Sequence, residues 1–378
     1  MIKDKKFLFV FRAKVEQLIQ LYERDGMQIN SPRYINEFEK VKDTQSGWMD
    51  VVENKILICN FSYPIDWVNK FISYKRWLKF AKFMRRTRVE KWFDILFLNL
   101  HIIFLALGKK FDTLMYYDRD ILSITEKILC KLNIAIIEYD GRAPSVSKRD
   151  FTKDIVCKNK HLVSCMDFSH LVNNYKENVH TLILGLNEKL SIEEHEINLS
   201  NRDIDIVFFG SLDPKIWKKR VEVIEDLLGS LSPSINFQIF GRKQNCENYP
   251  NISKKELKFI YSPEEMKEIC MKSKMTILIP SDDHMRLASG MPSKLLENTA
   301  YGVTQLIYRS GAMDNMEYIE DKHYIVFGSQ QELVDKINFL LKNDKYSEDI
   351  AQNALYLYKN KYTAQIQMKQ LLNKIFKR

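Results

Sequence analysis

The sequence has 378 residues, which is too long for one ordinary domain and comfortable for two. Hydrophobic residues make up 45% of it and charged residues 28%, which excludes a disordered chain, and its 12 glycines and 9 prolines are too few for a collagen-like or proline-rich protein. Lysine and arginine number 58 against 49 aspartate and glutamate, a formal net charge of +9. This balance favours an anionic partner, such as nucleic acid, anionic lipid or a phosphorylated small molecule, without choosing among them.

The N-terminal half opens with an apolar run, Phe7–Phe11, that is too brief for the core of a signal peptide and predicts a buried strand. Six short apolar segments of this half have the length and composition of strands, and helical segments separate them. These predicted strands are Lys6–Phe11, Lys55–Phe61, Thr113–Tyr117, Ile134–Tyr139, His161–Cys165 and Thr181–Leu184.

Residues 70–91 combine nine lysine and arginine residues with one glutamate and five interleaved aromatic residues. Such a mixture is typical of an amphipathic helix on an anionic membrane surface, and a solvated helix with its aromatic residues toward the core is the alternative. The segment after it, Trp92–Gly108, is the most hydrophobic of the chain. It is shorter than the roughly 20 residues of a membrane-spanning helix and contains Asp94, Asn99 and His101, so we expect a buried helix.

A charged stretch with few apolar residues, Glu188–Asp205, divides the chain into near-equal halves. The strands predicted after it are Ile206–Phe209, Asn236–Phe240, Leu257–Tyr261, Met275–Ile279, Thr304–Ile307 and His323–Phe327. Short apolar strands that alternate with helices favour parallel sheets covered on both faces. We therefore predict an α/β protein of two Rossmann-like, doubly wound domains that face a cleft, with the ligand between them.

The predicted boundaries follow from this alternation. We predict that residues 1–190 form the N-terminal domain, 191–203 a linker and 204–358 the C-terminal domain. The helical pattern breaks at Lys359–Tyr362. An amphipathic helix within 359–378 is then expected to pack back toward the N-terminal domain.

The densest functional signal is the stretch 279–303, IPSDDHMRLASGMPSKLLENTAYGV, in which Gly290 lies in a turn after a buried strand. Ser293, Lys294 and Glu297 then stand in the order of a helix-capping residue, a cation and a first-turn carboxylate. The N–H groups at a helix start bind anions, Lys294 adds a positive charge, and the Glu297 carboxylate can accept hydrogen bonds from a vicinal diol such as ribose. Capping alone would give the same spacing. The surrounding order of strand, loop, helix and glycine turn favours a ligand site.

The run PSKLLENTAYG resembles the sugar-nucleotide motif of the group 1 glycosyltransferases, whose two-domain fold is called GT-B. The resemblance implies that Glu297 binds the ribose of a nucleotide-sugar donor and that Ser293 and Lys294 hold its diphosphate. Many members carry a second glutamate eight positions earlier, where this chain has Ser289. The contact with the donor sugar is therefore left unassigned.

Residues 204–228 resemble the opening of the C-terminal domain in the same family, in which a strand ends in Phe-x-Gly before a loop and a helix with basic residues. Many relatives place an arginine directly after that glycine, whereas here Ser211 follows Gly210. The resemblance implies that Arg220 or Lys218 supplies the charge instead. The ending of the chain is also similar to the CgeB-like branch linked to spore maturation. The resemblance covers residues 204–378 well and the first half only by layout.

Two further loops of the C-terminal half carry charges that we expect to face the donor. Arg242 and Lys243 follow a predicted strand, at the end that would face the cleft, although a solvated basic loop is the alternative. His284 and Arg286 precede the PSK run and are expected to reach the donor sugar or its phosphates.

Acidic residues at two strand ends of the N-terminal half are the candidates for acceptor binding or for a catalytic base. Asp118 belongs to an Asp-x-Asp sequence, which binds a metal in the other large glycosyltransferase fold. Here it ends a strand of the half that is not expected to bind the donor, so we expect no metal there. Asp140 ends the next strand and is the stronger candidate for a base, although an ordinary strand-end turn would explain it equally well.

Other reaction classes lack their motifs. The sequence contains no GxSxG, GxxxxGK[ST] or GxGxxG, and its seven histidines show no zinc-ligand spacing. The six cysteines form no CxxC pair, so we expect a reduced, cytoplasmic protein with buried thiols.

Together these features predict a glycosyltransferase that moves a sugar from a nucleotide-diphosphate donor to a glycan or lipid-linked acceptor in cell-envelope polysaccharide synthesis, of the lipopolysaccharide or capsule kind. Fixed cations would stabilise the leaving diphosphate, so we expect neither a metal nor a cofactor. Most group 1 relatives retain the anomeric configuration, and we expect the same here. An inverting reaction would need Asp118 or Asp140 as its base.

Two other functions fit less well. One is a sugar-nucleotide epimerase on the same architecture, which would need acid and base residues in the cleft. The other is a non-catalytic protein that binds an anionic ligand such as nucleic acid. Because the basic residues concentrate at 70–91 rather than along one continuous face, we expect no nucleic-acid partner and a peripheral site on the inner face of the cell membrane.

Overall fold

The computed structural model describes residues 4–11, 51–59, 88–117, 121–140, 157–164, 175–182, 185–258, 263–281, 285, 293–313 and 316–376. Within these ranges the chain forms two parallel β-sheets, and helices pack on both faces of each. The strands are β1 Lys6–Phe11, β2 Asn54–Cys59, β3 Thr113–Tyr117, β4 Ala135–Asp140, β5 Lys160–Ser164, β6 Val179–Thr181, β7 Ile204–Phe209, β8 Phe237–Phe240, β9 Ser273–Leu278, β10 Thr304–Tyr308 and β11 Ile325–Phe327. The helices are α1 Arg88–Leu107, α2 Ser123–Lys131, α3 Lys218–Ser230, α4 Pro250–Lys254, α5 Pro263–Met271, α6 Lys294–Ala300, α7 Gln330–Lys342, α8 Asp344–Lys361 and α9 Ala364–Phe376. The predicted α/β fold with two Rossmann-like sheets is confirmed.

The N-terminal sheet has the strand order β2-β1-β3-β4-β5-β6. Phe9 of β1 pairs with Leu57 on one side and with Met115 on the other, both in parallel. Alternate residues of β1 pack on opposite faces of the sheet, and both sets are buried, which explains the unbroken apolar run of this strand. The predicted strands coincide with β1 and β3 and lie within a few residues of the others. The last of them is Val179–Thr181 rather than Thr181–Leu184, of which residues 183–184 lie outside the described ranges.

The C-terminal sheet has the order β11-β10-β9-β7-β8. In chain order this is the doubly wound arrangement 2-1-3-4-5, whose direction reverses between β7 and β9. Of the predicted strand Leu257–Tyr261, only Leu257 and Lys258 lie in the described ranges, and Lys258 makes a parallel bridge to Phe240 of β8. The strand as a whole therefore stays a prediction.

Helix α1 contains the most hydrophobic segment of the chain, and its helical structure is confirmed, but the expectation of a buried helix holds for only one side of it. Three of its residues pack on the sheet and three others, on the opposite side of the helix, are exposed. The buried ones are Leu98, Ile102 and Ala106, and the exposed ones are Leu100, Phe104 and Leu107.

Most of the basic segment 70–91, up to residue 87, lies outside the described residues. Among the helices described, none has both the length and the apolarity to cross a membrane.

The segment predicted as a linker, residues 191–203, packs into the C-terminal domain. Its residues Ile192, Ile197 and Leu199 are buried in the same core cluster as α6 and α8. A side chain at Gly302 would approach Ile192 to 2.4 Å, which shows how closely the two segments pack. The apolar residues of this segment stand singly between charged and polar ones, so its sequence does not reveal that it is part of the core.

The last helix, α9, packs on the N-terminal sheet. Met368 and Leu372 are fully buried in one cluster with residues of β1, β3, β4 and β5. Helix α8 ends at Lys361, so the chain breaks at Tyr362 and Thr363, where it returns to the N-terminal domain. There it contacts the segment around Gly185, through which the chain first passes from the N-terminal to the C-terminal domain. The contact is close, since a Cβ on Gly185 would lie 1.8 Å from the Tyr362 carbonyl oxygen. A glycine is therefore required where the two crossings touch.

The cysteines depart from the expected set of free thiols. Cys130, at the end of α2, and Cys157, before β5, form a disulfide across 27 residues of sequence. The pairing arises because α2 leads into β4 and β4 lies beside β5, which no sequence spacing reveals. The expectation of reduced thiols is wrong for this pair. Cys246 and Cys270 are free and buried, and burial raises the pKa of the Cys270 thiol to about 12.

Candidate active site

The carboxyl ends of β7 and β8 are joined by their loops. Gly210 donates its N–H to the carbonyl oxygen of Phe240 at 2.9 Å, and Leu212 donates to that of Arg242 at 2.7 Å. Gly241 has φ +153°, and a Cβ there would lie 2.0 Å from the Gly210 carbonyl oxygen. Only glycine fits at this approach. The loops after the two strands therefore start in one fixed arrangement beside the reversal point of the sheet.

Arg220 spans the reversal point itself. It lies in the first turn of α3 and donates hydrogen bonds to the carbonyl oxygens of Ser211, after β7, at 3.3 Å and of Ile279, after β9, at 3.2 Å. Its guanidinium lies 4.6 Å from the centre of the Trp217 ring. Open α/β sheets bind ligands in the crevice outside the strand ends at this point. Of the two basic residues suggested by the sequence, Arg220 is the one at the crevice, since the side chain of Lys218 is 73% exposed and pairs with Glu222 at 3.9 Å.

Lys294 and Glu297 form an ion pair on α6 at the same edge of the sheet. The Lys294 Nζ lies 2.5 Å from Glu297 Oε2 and 3.0 Å from the Met266 sulfur. It also lies 5.9 Å from the ring centre of Phe209, the last residue of β7. Helix α6 packs in the core on one face of the sheet and α3 in the core on the other. The end of β7 is therefore flanked by a cation from each face.

The buried side-chain amide of Gln305 fixes helix α6 to strand β10. Gln305 of β10 donates to the carbonyl oxygen of Leu295 at 3.1 Å and to Thr299 Oγ1 at 2.8 Å, and accepts from Asn298 at 3.2 Å. Gln305 is 1% exposed. It fixes the orientation of the helix that carries Lys294 and Glu297. Sequence reasoning missed it, although a glutamine inside the apolar strand TQLIY is a detectable signal.

A protein family model matches residues 219–373, which include all of the site except the end of β7 and the loop that follows it. The family is described as glycosyl transferase-like. These residues form a glycosyltransferase-like domain. The match covers less than half of the chain, and no curated protein sequence matches it significantly.

Solved structures show the fold of the whole chain. The Anabaena protein HepE in complex with UDP is 12% identical, with a TM-score of 0.58 and coverage of 99% of this chain and 100% of that one. A glycosyltransferase from Rickettsia africae is 13% identical, with a TM-score of 0.56 and the same coverage. An α-glucosyltransferase in complex with UDP-glucose and DNA containing an abasic site is 12% identical, with a TM-score of 0.58 and coverage of 98% and 99%.

The likenesses confirm the GT-B fold. Together with the family match, they confirm the prediction of a glycosyltransferase at the level of family domain and fold. The finer resemblance to the group 1 and CgeB-like branches stays a prediction.

Within the glycosyltransferase-like domain, the expected capping role of Ser293 is wrong. Its side chain makes no capping hydrogen bond, and its backbone has the helical angles φ −52° and ψ −26°, whereas a capping residue is normally extended. Its carbonyl oxygen accepts from the N–H groups of Leu296 and Glu297, both at 3.0 Å. Ser293 is therefore already part of the first turn, and its exposed hydroxyl is not used in capping.

Lys243 has a different position from the one expected. Its ammonium donates to three backbone carbonyl oxygens at the end of α4, so it caps that helix rather than facing a donor. These acceptors are Ile252 at 3.2 Å, Ser253 at 2.7 Å and Lys255 at 2.8 Å. Arg242, beside it, is exposed on the same loop. The cation in this loop that remains a candidate is therefore Arg242.

Several predicted site residues lie outside the described ranges, namely Asp118, His284, Arg286 and Gly290. Asp140 is the last residue of β4, where its backbone is paired with Ser164, but its side chain is not among those described. In the described part of the chain, no three histidine, cysteine or acidic residues come together as metal ligands.

Proposed function

We propose that the protein transfers a sugar from a nucleoside-diphosphate donor, bound by the C-terminal domain, to a glycan or lipid-linked acceptor held by the N-terminal domain. HepE has been solved with UDP and with UDP-glucose, and the α-glucosyltransferase with UDP-glucose. A UDP-sugar is therefore the first donor to test.

The observation that carries the proposal is the pair of cations on opposite faces of the β7 end. Arg220 reaches the crevice from α3, and Lys294 reaches it from α6. The glycosidic bond breaks between the anomeric carbon and the diphosphate, so negative charge develops on the leaving diphosphate. Cations that are fixed before the reaction stabilise such charge without reorganisation. Ser293, in the first turn of α6, adds an exposed hydroxyl at the same place.

Glu297 is the residue for the donor ribose in this proposal. Its side chain is 18% exposed, and Lys294 binds it through Oε2. In this proposal the other oxygen, Oε1, accepts hydrogen bonds from the ribose hydroxyls. The Lys294 contact keeps the carboxylate in place while it accepts those bonds.

The acceptor oxygen forms the new bond to the anomeric carbon as the bond to the diphosphate breaks, and its proton passes to the departing diphosphate oxygen. We propose retention of configuration, with Asp140 or Asp118 as the base if the reaction inverts instead. Metal independence is part of the proposal, because the two cations supply the positive charge that a metal would otherwise provide.

A role in cell-envelope glycan synthesis is proposed from the basic segment 70–91, which would bring the N-terminal domain to a membrane-held acceptor. Replacement of Lys82, Arg85, Arg86 and Arg88 by serine should then weaken binding to anionic vesicles and leave donor binding unchanged. Equal vesicle binding by this variant would contradict a role of the segment.

The test of donor binding is a thermal-shift screen of nucleotides and nucleotide sugars, followed by titration of the best ligand. We expect UDP and a UDP-sugar to raise the melting temperature. Arg220→Gln should raise the donor Kd about 10- to 100-fold, since a charged hydrogen bond contributes about 1.5–3 kcal/mol. Lys218→Gln, two residues away on the same helix and largely exposed, is the matched control and should bind as the wild type does. A protein that no nucleotide stabilises would overturn the proposal.

A further inference from the structure

The outer surface of α1 and α2 exposes large apolar side chains. Leu100 is 53% exposed, Phe104 77% and Leu107 62%, and they follow one another along α1 at spacings of four and three residues. Ile124, in the first turn of α2, is 65% exposed. Such residues scattered singly would be ordinary, but here they share neighbouring helices.

The position of these side chains follows from the packing of the two helices. Both α1 and α2 bury residues in the same core cluster on one face of the N-terminal sheet. Leu98 and Ile102 of α1 are fully buried in it, and Leu100 lies two residues, or about 200°, around the helix from Leu98. On α2, Leu129 is buried, and Lys127 lies two residues, or about 200°, around the helix from it. The outward sides of the two helices therefore form one surface, which we call the α1–α2 face.

The exposed charges of this face are positive. Lys109 and Lys110 follow the apolar stripe of α1, and Lys127 and Lys131 share a side of α2 with Ile124. In the described side chains of residues 98–110 and 121–133 the one acidic residue is Glu126, which is 4% exposed and directed inward. Apolar side chains rimmed by lysines, with no exposed carboxylate among the described side chains of these two ranges, match the chemistry of an anionic lipid surface.

We propose that the α1–α2 face docks on an anionic membrane, with Leu100, Phe104 and Leu107 at the boundary of headgroups and acyl chains and the lysines on lipid phosphates. A second copy of the chain fits this face poorly. In a two-fold dimer the same patch meets itself, so the lysines of both copies would be brought together. The inference relies on the proposed function only for its purpose, which is to bring the acceptor site to a lipid-linked glycan.

This face is distinct from the basic segment 70–91, since its residues begin at Leu100. The two can be tested separately, because substitutions at 100 and 104 leave every basic residue in place.

The experiment is co-sedimentation with vesicles of phosphatidylcholine containing phosphatidylglycerol, and with vesicles of phosphatidylcholine alone. The wild type should bind the anionic vesicles, and more weakly as salt is added. The variant Leu100→Gln/Phe104→Gln should bind them at least about tenfold more weakly, because two large apolar groups no longer enter the interface. The matched control is Ile319→Gln/Tyr356→Gln, whose residues are 55% and 64% exposed on the C-terminal domain, and it should bind like the wild type.

A second variant tests the charges. Replacement of Lys109, Lys110, Lys127 and Lys131 by serine should weaken binding by about fivefold for each lysine that contacts the surface. Circular dichroism and UDP titration of all variants check folding and the donor site. Failure of the wild type to bind anionic vesicles at low salt overturns the inference, as does unchanged binding by both variants. Light scattering that shows a dimer in the wild type and a monomer in Leu100→Gln/Phe104→Gln overturns it as well.

The outcome is independent of the donor site. Vesicle binding without any nucleotide binding would refute the proposed function and leave the docking surface intact. Nucleotide binding without vesicle binding would refute the docking surface and leave the proposed donor site intact.

Discussion

Each domain contains a lysine paired with glutamate, and the two clusters differ in burial. In the N-terminal domain, Lys160 lies 2.6 Å from Glu126 and 3.0 Å from Glu138, and all three side chains are at most 5% exposed. In the C-terminal domain, Lys294 lies 2.5 Å from Glu297, with side chains 37% and 18% exposed. The same pairing chemistry thus occurs both inside a domain and at the open edge of a sheet.

Burial decides what each cluster can do. Lys160 and its partners connect α2 to β4 and β5, and Tyr116 of β3 also donates to Glu126. Burial raises the pKa of Glu126, although Lys160 opposes the rise. The pair on α6 remains within reach of solvent and of a ligand. We infer that the buried cluster stabilises the fold and that the open pair serves binding.

The largest expected effect is on the buried cluster. Lys160→Met leaves two carboxylates without their cation, and removal of one partner from a buried pair typically costs about 3–5 kcal/mol. Chemical denaturation should show a loss of that size at pH 7. A loss below about 1 kcal/mol would mean that the cluster does not hold the domain together.

The pH dependence of that variant gives a second check. Without Lys160 the folded-state pKa of Glu126 rises further above its ordinary value near 4.5. A carboxyl group with a raised pKa contributes stability that is present below its unfolded pKa and is lost as the pH rises toward the folded one. The deficit of Lys160→Met should therefore be smallest near pH 4.5 and grow toward neutrality. A deficit that does not change with pH would contradict this explanation.

The Lys294–Glu297 pair should show the opposite balance, with a large effect on donor affinity and a small effect on stability. Glu297→Ala should raise the donor Kd about 10- to 100-fold through the loss of a charge-assisted hydrogen bond, but lower stability by only about 1 kcal/mol or less, as for other partly exposed pairs. Calorimetric titration with the donor measures the first effect and thermal unfolding the second. Asp349→Ala, which breaks the exposed pair with Lys345, is the control and should leave donor affinity unchanged. Unchanged affinity in folded Glu297→Ala would remove this residue from the site.

A smaller effect separates two serines at helix starts. Ser329 precedes α7, and its hydroxyl accepts from the N–H of Glu332 at 3.2 Å, whereas Ser293 makes no such bond at α6. Ser329→Ala should cost about 1 kcal/mol of stability, and Ser293→Ala should cost less than about 0.5 kcal/mol while weakening donor binding. Equal stability losses in the two variants would show that Ser293 does cap its helix.

The smallest expected effect is that of chelation. If Arg220 and Lys294 supply the positive charge at the diphosphate, turnover should be the same with and without EDTA. Loss of activity in EDTA that Mn²⁺ or Mg²⁺ restores would contradict this and would make Asp118 and Asp120, the two acidic residues of the Asp-x-Asp sequence, candidates for metal ligands.

Much of the fold could be predicted because buried parallel strands are short apolar runs, and β1 and β3 were delimited correctly from that signal. The weakest predictions concerned segments whose role depends on what they contact. Residues 191–203 have a polar sequence, yet Ile192 and Leu199 are fully buried, because the surface that covers them comes from α6 and α8. Helix α1 has an apolar sequence, yet one side of it is exposed, because the sheet covers only the other.

The sequence by itself determined the strand and helix alternation and the positions of Lys294 and Glu297 on one helix, since both depend on local spacing along the chain. Only the tertiary structure decided which cation reaches the strand ends. Arg220 and Lys218 are near neighbours in sequence, but the turn of α3 directs Arg220 across β7 and β9 and leaves Lys218 in solvent. The tertiary structure likewise directs the Lys243 side chain to the end of α4 and places Gln305 against α6. Such choices depend on the direction in which a side chain leaves its element and on what packs there, and neither is encoded in spacing alone.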